Sequence, residues 1–341
     1  MNCGHSADFF RFFNLSLAGL GLGVATVVQA DIPAENSTVD AMAWLQRIVT
    51  SARTLPYTGV FVHHTPEVMS SVRITHLVDR AGVEHEKIEP LDGPPQEIIR
   101  RNEEMFCYRP DSRTIRIDRR ASGRFFPSLI SGNPQTLAEN YQIKLGRRER
   151  IGGHECQWII LEPRDTLRYL HKLCAELQSG LLLRASMFNE RKQLIEQFTF
   201  TQLALGQDVA RQAMKSRYNT DNFSGWRKDY AVMPQPDPAD LIKWQISNLP
   251  AGFRKVMEMT RQLAGRPQPV SQIVFSDGLA HVSVFVEQTR GALSVSPQSK
   301  GEGPTSFALR GVADYQVTVM GEVPIMAVQH IADGVTRRLP H

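Results

Sequence analysis

Between residues 37 and 53 the apolar side chains recur every three or four positions: Met42, Leu45, Ile48 with Val49, and Ala52. That period predicts an amphipathic helix, with Ser37 and Thr38 available to cap its start. Beyond it the period falls to two. The segments YTGVFVHHT (57–65), SSVRITHLV (70–78), VEHEKIEP (83–90), QEIIRR (96–101), MFCYRP (105–110) and RTIRID (113–118) are short and rich in β-branched or aromatic residues. DRAG, LDGPP, RNEE and PDS separate them, the punctuation of an antiparallel meander. ECQWIILEP (155–163) and LRYLHKL (167–173) continue the series. A helix followed by a long run of strands predicts an α+β layout in which one large curved sheet wraps around something.

SGLLLRASMFNERKQLIEQFTFTQL (179–203) reads as two strands about a polar turn. Strand residues alternate faces, so Leu181, Leu183, Ala185 and Met187 share a face with Leu194, Glu196, Phe198 and Phe200. The opposite face carries Arg184, Ser186, Gln197, Thr199 and Thr201 and is wetter, despite Leu182, Phe188 and Ile195. The first face is therefore buried, and Glu196 is discordant on it. An unpaired carboxylate in a dry core costs several kcal/mol. Two readings stay open: a sealed core with Glu196 at its rim, or a concavity open to a greasy ligand and lined by Leu181, Leu183, Met187, Phe198 and Phe200.

The prolines of AVMPQPDPADL (231–241) forbid both helix and central strand and mark a linker. The expected units are a signal segment at 1–30, a large domain at 31–221, a linker at 222–240 and a small domain at 241–341. In the last, SQIVFSDG and LAHVSVFVE predict a hairpin about Ser276-Asp277-Gly278, and DYQVTVMGE a further strand. PIMAVQHIADGV predicts a helix that starts at Pro324 and ends near Gly334. Residues 291–306 read as a polar loop.

Composition adds less. The chain has 341 residues, 42% hydrophobic and 22% charged, as expected for a soluble globular protein of two domains. A net charge of +4 is far below that usual for a nucleic-acid binder. At the N-terminus, Arg11, the apolar run Leu15–Val28 and small residues at Val28 and Ala30 predict a secretory signal cleaved after Ala30. The run is short for a bilayer span. The mature chain is then exported and begins at Asp31.

Few motifs carry chemistry. GLGLG (19–23) sits inside the signal segment with no strand before it. His63, His64, His76 and His85 are scattered over successive strands without metal-ligand spacing, so no metal is expected. There is no nucleophile elbow, phosphate loop or Ser-x-x-Lys in the mature chain, which leaves nothing from which to argue an enzyme or a cofactor. Basic clusters at Arg100-Arg101, at Arg116 with Arg119-Arg120, and at Arg147-Arg148 with Arg150 read as a charged sheet edge that blocks strand pairing. The rival reading is a patch for anionic head groups or an acidic peptide. Once Cys3 leaves with the signal, Cys107, Cys156 and Cys174 remain, enough for one bridge at most. Cys156 and Cys174 share parity on strands flanking EPRDT, and form either that bridge or two buried thiols.

LDGPPQEIIR (91–100), FFPSLI (125–130), LGRRERIGGHECQWI (145–159) and LLLRASMFNERKQLIEQF (181–198) together resemble the RseB/MucB family. LPAGF (249–253), FSDGLAHVSVFVE (275–287) and VTVMGEVPIMAVQHIADGV (317–335) continue the resemblance in order after the linker. It implies an exported, non-enzymatic regulator of the sigma-E (AlgU) envelope-stress pathway. Such a protein binds the periplasmic part of an anti-sigma factor, RseA or MucA, and shields it from a DegS-type protease. It implies a large domain similar to the carriers LolA and LolB, an unclosed antiparallel barrel with helices in its mouth and a hydrophobic cavity for lipoprotein acyl chains or lipopolysaccharide. The smaller antiparallel sheet and helix would then hold the anti-sigma factor, and self-association into a homo-oligomer is compatible with all of this. Cys174 departs from the family, where a large aromatic is expected; a bridge to Cys156 compensates the loss, or the cavity is larger. The competing class is a periplasmic lipid or lipoprotein carrier with no signalling partner, for which a second domain is unnecessary.

Overall fold

A computed structural model describes residues 34–118, 125–218, 225–230, 244–261, 269–289 and 298–337. The expected signal segment, Arg119-Arg120 and the whole proline-rich stretch 231–241 lie outside them. The first helix, α1 (Ala34–Thr54), buries Ala41, Leu45, Ile48 and Ala52 on one stripe, with Met42 and Val49 at its margins. The meander follows as β1 (Tyr57–His64), β2 (Met69–Val78), β3 (Glu84–Pro90), β4 (Glu97–Arg101), β5 (Glu104–Arg109) and β6 (Thr114–Asp118). A short helix, α2 (Leu137–Asn140), leads into β7 (Tyr141–Ile151), β8 (His154–Pro163), β9 (Leu170–Glu176), β10 (Leu182–Phe188) and β11 (Leu194–Leu205).

These strands form one sheet in the order β6-β5-β4-β3-β2-β1-β11-β10-β9-β8-β7. The chain thus builds one half from β1 outwards and the other from β7 back, and β11 closes the seam beside β1. The two ends do not pair with each other, so the barrel stays unclosed. Helix α1 packs against β2, β7 and β8, and α3 (Gln207–Ala213) against β1, β2 and β11. Under the end of α3, the Lys87 ammonium bonds the carbonyls of Ala213 and Lys215 at 3.3 and 2.7 Å and the Glu97 carboxylate at 2.8 Å. That satisfies a cation buried to within 3% of full burial.

Three expectations need correction. Arg100 is not part of a surface patch: it is buried, 3.1 Å from the Glu86 carboxylate on the adjacent strand. The expected linker contains β12 (Arg227–Tyr230), which adds to the sheet in parallel beside β6. RKDY has no alternation because its strand is largely exposed, so nothing in its pattern reveals it. The expected polar loop at 291–306 ends in β17 (Gln298–Glu302), which turns at Gly303 into β18 (Thr305–Val312). Arg147, Arg148 and Arg150 do lie exposed on β7, the edge strand opposite β12, where positive charge discourages pairing with another chain.

The small domain is a second antiparallel sheet, β14 (Arg254–Arg261), β15 (Val270–Ser276), β16 (His281–Gln288), β19 (Tyr315–Gly321), β18 and β17 in that order. Helix α4 (Ile325–Asp333) buries Ala327, Val328, Ile331 and Ala332 against it, entered through Pro324 and left through Gly334. A two-stranded ribbon, β13 (Trp244–Ile246) with β20 (Val335–Arg337), completes the unit. Each domain has its own apolar core. Among the described residues no helix is long and apolar enough to cross a membrane.

Candidate functional site

Strands β10 and β11 pair as the turn parity requires, with Ala185 opposite Phe198 and Met187 opposite Glu196. A bulge after Met187 then shifts the register, and Ile195 takes the buried place expected of Leu194. Leu181, Leu183 and Phe200 are at most 2% exposed and join the large core, with Phe198 half-buried against it. Met187 is separated from them: it packs with Tyr169 and Ile195 in a small cluster of its own.

Two residues that the sequence did not single out complete the wall. Phe61 on β1 and Phe126 before α2 close an aromatic quartet with Phe198 and Phe200. Phe126 lies 5.1 Å from Phe61, 5.6 Å from Phe198 and 5.0 Å from Phe200 between ring centroids. The alternation of YTGVFVHHT hints at Phe61, since Tyr57, Gly59 and Phe61 share its buried face. Nothing local marks Phe126.

Glu196 finds its partner across the seam. Its Oε1 lies 2.8 Å from His63 Nε2, and the two side chains are 14% and 31% exposed. The discordant carboxylate thus sits at a rim, paired, rather than bare in the interior. Beside the aromatic wall runs a buried polar row, because the register places Tyr57 opposite His76, His76 opposite Glu86, and Glu86 opposite Arg100. Tyr57 stacks on His76 at 5.2 Å and meets Phe200 edge-on at 6.4 Å, so row and wall adjoin. His76 Nδ1 donates to the Leu55 carbonyl at 2.8 Å, and its Nε2 lies 3.3 Å from Glu84. Burial, reinforced by Glu86 and Glu84, holds the Tyr57 phenol well above its ordinary pKa, and its hydroxyl has no hydrogen-bond partner. The packed interior is therefore amphipathic: an aromatic wall on one side and a strip of neutral and charged polar groups on the other.

Cys156 and Cys174 are joined by a disulfide between β8 and β9, with Cα atoms 5.5 Å apart and both residues fully buried. Among the described residues no three His, Cys, Asp or Glu side chains converge to hold a metal ion.

Comparison with known proteins gives a co-linear match to both units. A model of the MucB/RseB N-terminal domain matches residues 40–218, and one of the MucB/RseB C-terminal domain matches residues 238–336. The sigma factor AlgU regulatory protein MucB of Pseudomonas aeruginosa is 29% identical over 306 residues, 88% of this chain and 92% of that protein. The sigma-E factor regulatory protein RseB of Haemophilus influenzae is 24% identical over 295 residues, 86% of this chain and 90% of that protein. Among solved structures, MucB in complex with MucA(peri) superimposes with a TM-score of 0.69 at 27% identity, over 88% of this chain and 100% of that one.

Proposed function

The chain belongs to the MucB/RseB family, and from that premise we propose that it is an exported, periplasmic negative regulator of a sigma-E/AlgU-type stress response. It binds the periplasmic part of an anti-sigma factor of the RseA/MucA kind and shields it from the first proteolytic cut. The observation that carries this reading is the co-linear likeness of both units to MucB in its complex with MucA(peri). A carrier without a signalling partner has no need of the second, separately cored unit.

The large domain serves as the sensor. Half-buried Phe198 is the accessible edge of an aromatic wall whose other members, Phe61, Phe126 and Phe200 with Leu181 and Leu183, are packed behind it, so an acyl chain enters at Phe198 by loosening that packing and its head meets the adjoining polar row. Met187 lies apart and serves the cavity only at its margin. The ligand class is a lipoprotein acyl chain or lipopolysaccharide, and its binding releases the anti-sigma factor held by the small domain. Mature protein, residues 31–341, is mixed with the periplasmic segment of the organism's own anti-sigma factor and a DegS-type protease. Retarded cleavage that resumes on adding lipopolysaccharide is the expected result. Cleavage at an unaltered rate, with no complex on gel filtration, refutes the proposal.

A further inference from the structure

The two domains exchange side chains where they meet. Leu279, from the turn between β15 and β16, is buried in the core of the large domain. Leu167, from the loop after β8, packs on the core of the small one. Beside both lies Arg168, whose side chain is wholly buried. Its Nε donates to Asp277 Oδ2 at 2.8 Å, and its two terminal nitrogens donate to the Asp165 carboxylate and the Ala251 carbonyl. The guanidinium lies over the rings of Tyr141 and Phe253, 5.9 and 5.1 Å from their centroids.

Asp277 is as fully engaged. It accepts the Tyr141 hydroxyl at 3.1 Å through Oδ2, and through Oδ1 the backbone N–H groups of Leu279 and Ala280 at 3.0 and 2.9 Å. The N–H and hydroxyl of Ser131 both donate to the Gly278 carbonyl, at 2.8 and 3.2 Å. So the tip of one hairpin is gripped by the large domain from three sides.

A linker suffices to keep two domains in one molecule, so this arrangement demands another reason. Burying an ion pair between separate cores is costly in hydration and is offset only in one geometry. Half-separated, Arg168 would keep only Asp165 and Asp277 only its neutral donors, each short of the partner that offsets its burial. The contact is therefore two-state: fully seated, or opened to water. Its position also matters. Tyr169, the next residue, packs with Met187, which pairs with Glu196 beside Phe198 on the aromatic wall, and the Tyr169 hydroxyl lies 3.4 Å from Ser306 Oγ in the small domain. A shift of β10 and β11 around an occupant has a short packed route to Arg168.

We propose that the Arg168–Asp277 pair is an interdomain latch through which a ligand admitted beside Phe198 into the aromatic interior of the large domain sets whether the small domain is seated on the large one, and thereby its hold on its protein partner. This rests on the functional reading above. Coupling of two sites through a bistable contact requires that each ligand favour a different state of it, and the effect is reciprocal.

The test uses the mature chain with Arg168→Met, Asp277→Asn and the double variant. Methionine keeps an apolar stem between the two rings, and asparagine keeps the oxygen that caps the hairpin. Small-angle scattering reads the separation of the domains. Titration of the anti-sigma periplasmic segment, with and without lipopolysaccharide, reads the coupling. In the native chain, lipopolysaccharide should weaken segment binding by about fivefold or more. In either single variant the particle should expand and the coupling fall to about one, with both ligands still bound. The double variant leaves no buried charge unpaired, so it should re-seat and recover much of the coupling. Gly252→Ala gives an independent opening: its Cβ would strike the Asn140 side chain, and φ is +82° there, yet neither charge is touched. Scattering curves of the single variants that superimpose on the native one, with coupling intact, overturn the latch. A native chain that binds neither ligand overturns the functional reading instead, and the latch is then decided by scattering alone.

Discussion

The His63 ring lies parallel on Phe198, 6° from coplanar with centroids 4.4 Å apart, while its Nε2 holds the Glu196 carboxylate at 2.8 Å. One histidine thus links the aromatic wall to the only acidic residue on that face of the hairpin. The pair is partly solvated, so its Coulomb energy is screened. A double-mutant cycle with His63→Ala and Glu196→Gln should return a coupling of about 0.5–1 kcal/mol in chemical denaturation. A coupling of several kcal/mol would mean that the pair is shut away from water.

Leu183 and Phe198 separate the two meanings of a buried face. Leu183 is 1% exposed, whereas Phe198 is half-buried at the margin of the core. Leu183→Asp should cost about 4 kcal/mol or more and collapse the large domain. Phe198→Asp should cost only about 1–2 kcal/mol and abolish binding of a fluorescent fatty acid. Thermal melting alongside the binding titration reads both. Equal collapse of the two variants would make Phe198 a core residue and no more.

The disulfide closes a sequence separation of 18 residues between two neighbouring strands. Replacing both cysteines by alanine should lower stability by about 3 kcal/mol, chiefly by freeing the unfolded chain. Calorimetry measures this, and a double variant that melts with the native protein would show that strand pairing alone fixes the site.

His171 gives a pH dependence of definite sign. Burial lowers its pKa from 6.5 to about 4, with Asp277 acting in the opposite sense, and its Nε2 is buried without a partner. The folded chain therefore binds this proton less readily than the unfolded one. Its contribution is fully present above pH 6.5 and is lost as the pH falls from there towards 4, amounting to ~3 kcal/mol. The His171→Phe variant should flatten denaturation midpoints across that window, and an unchanged slope would contradict the assignment.

What could be seen in the sequence is what local pattern encodes. Helix α1 and strands β1 to β6 announce themselves because each buries one face, and a buried face imposes period 3.6 or 2. The inward set Leu183, Phe198 and Phe200 followed from turn parity alone. The bulge after Met187 did not, since one extra residue leaves no compositional mark, and Ile195 rather than Leu194 went inside. Phe126 and Phe61 come together across 65 residues, too far for any window. Arg168 looked like an ordinary strand residue and Asp277 like an ordinary turn residue. Their pairing is visible only once two domains are placed side by side. β12 escaped for the opposite reason: a largely exposed edge strand need not alternate at all.

That edge strand sets the reach of the small domain. Because β12 pairs with β6, the chain is anchored to the large sheet until Tyr230, and it is fixed again from Trp244. Thirteen residues, 231 to 243, span the gap, and covalent geometry limits them to roughly 50 Å. A small domain that left its seat would still face it at an effective concentration on the order of millimolar. Reseating is then an encounter within one molecule, independent of how much protein the compartment holds. A contact far too weak to join two free proteins is enough to keep these two together, and an incoming ligand competes with a neighbour that never diffuses away.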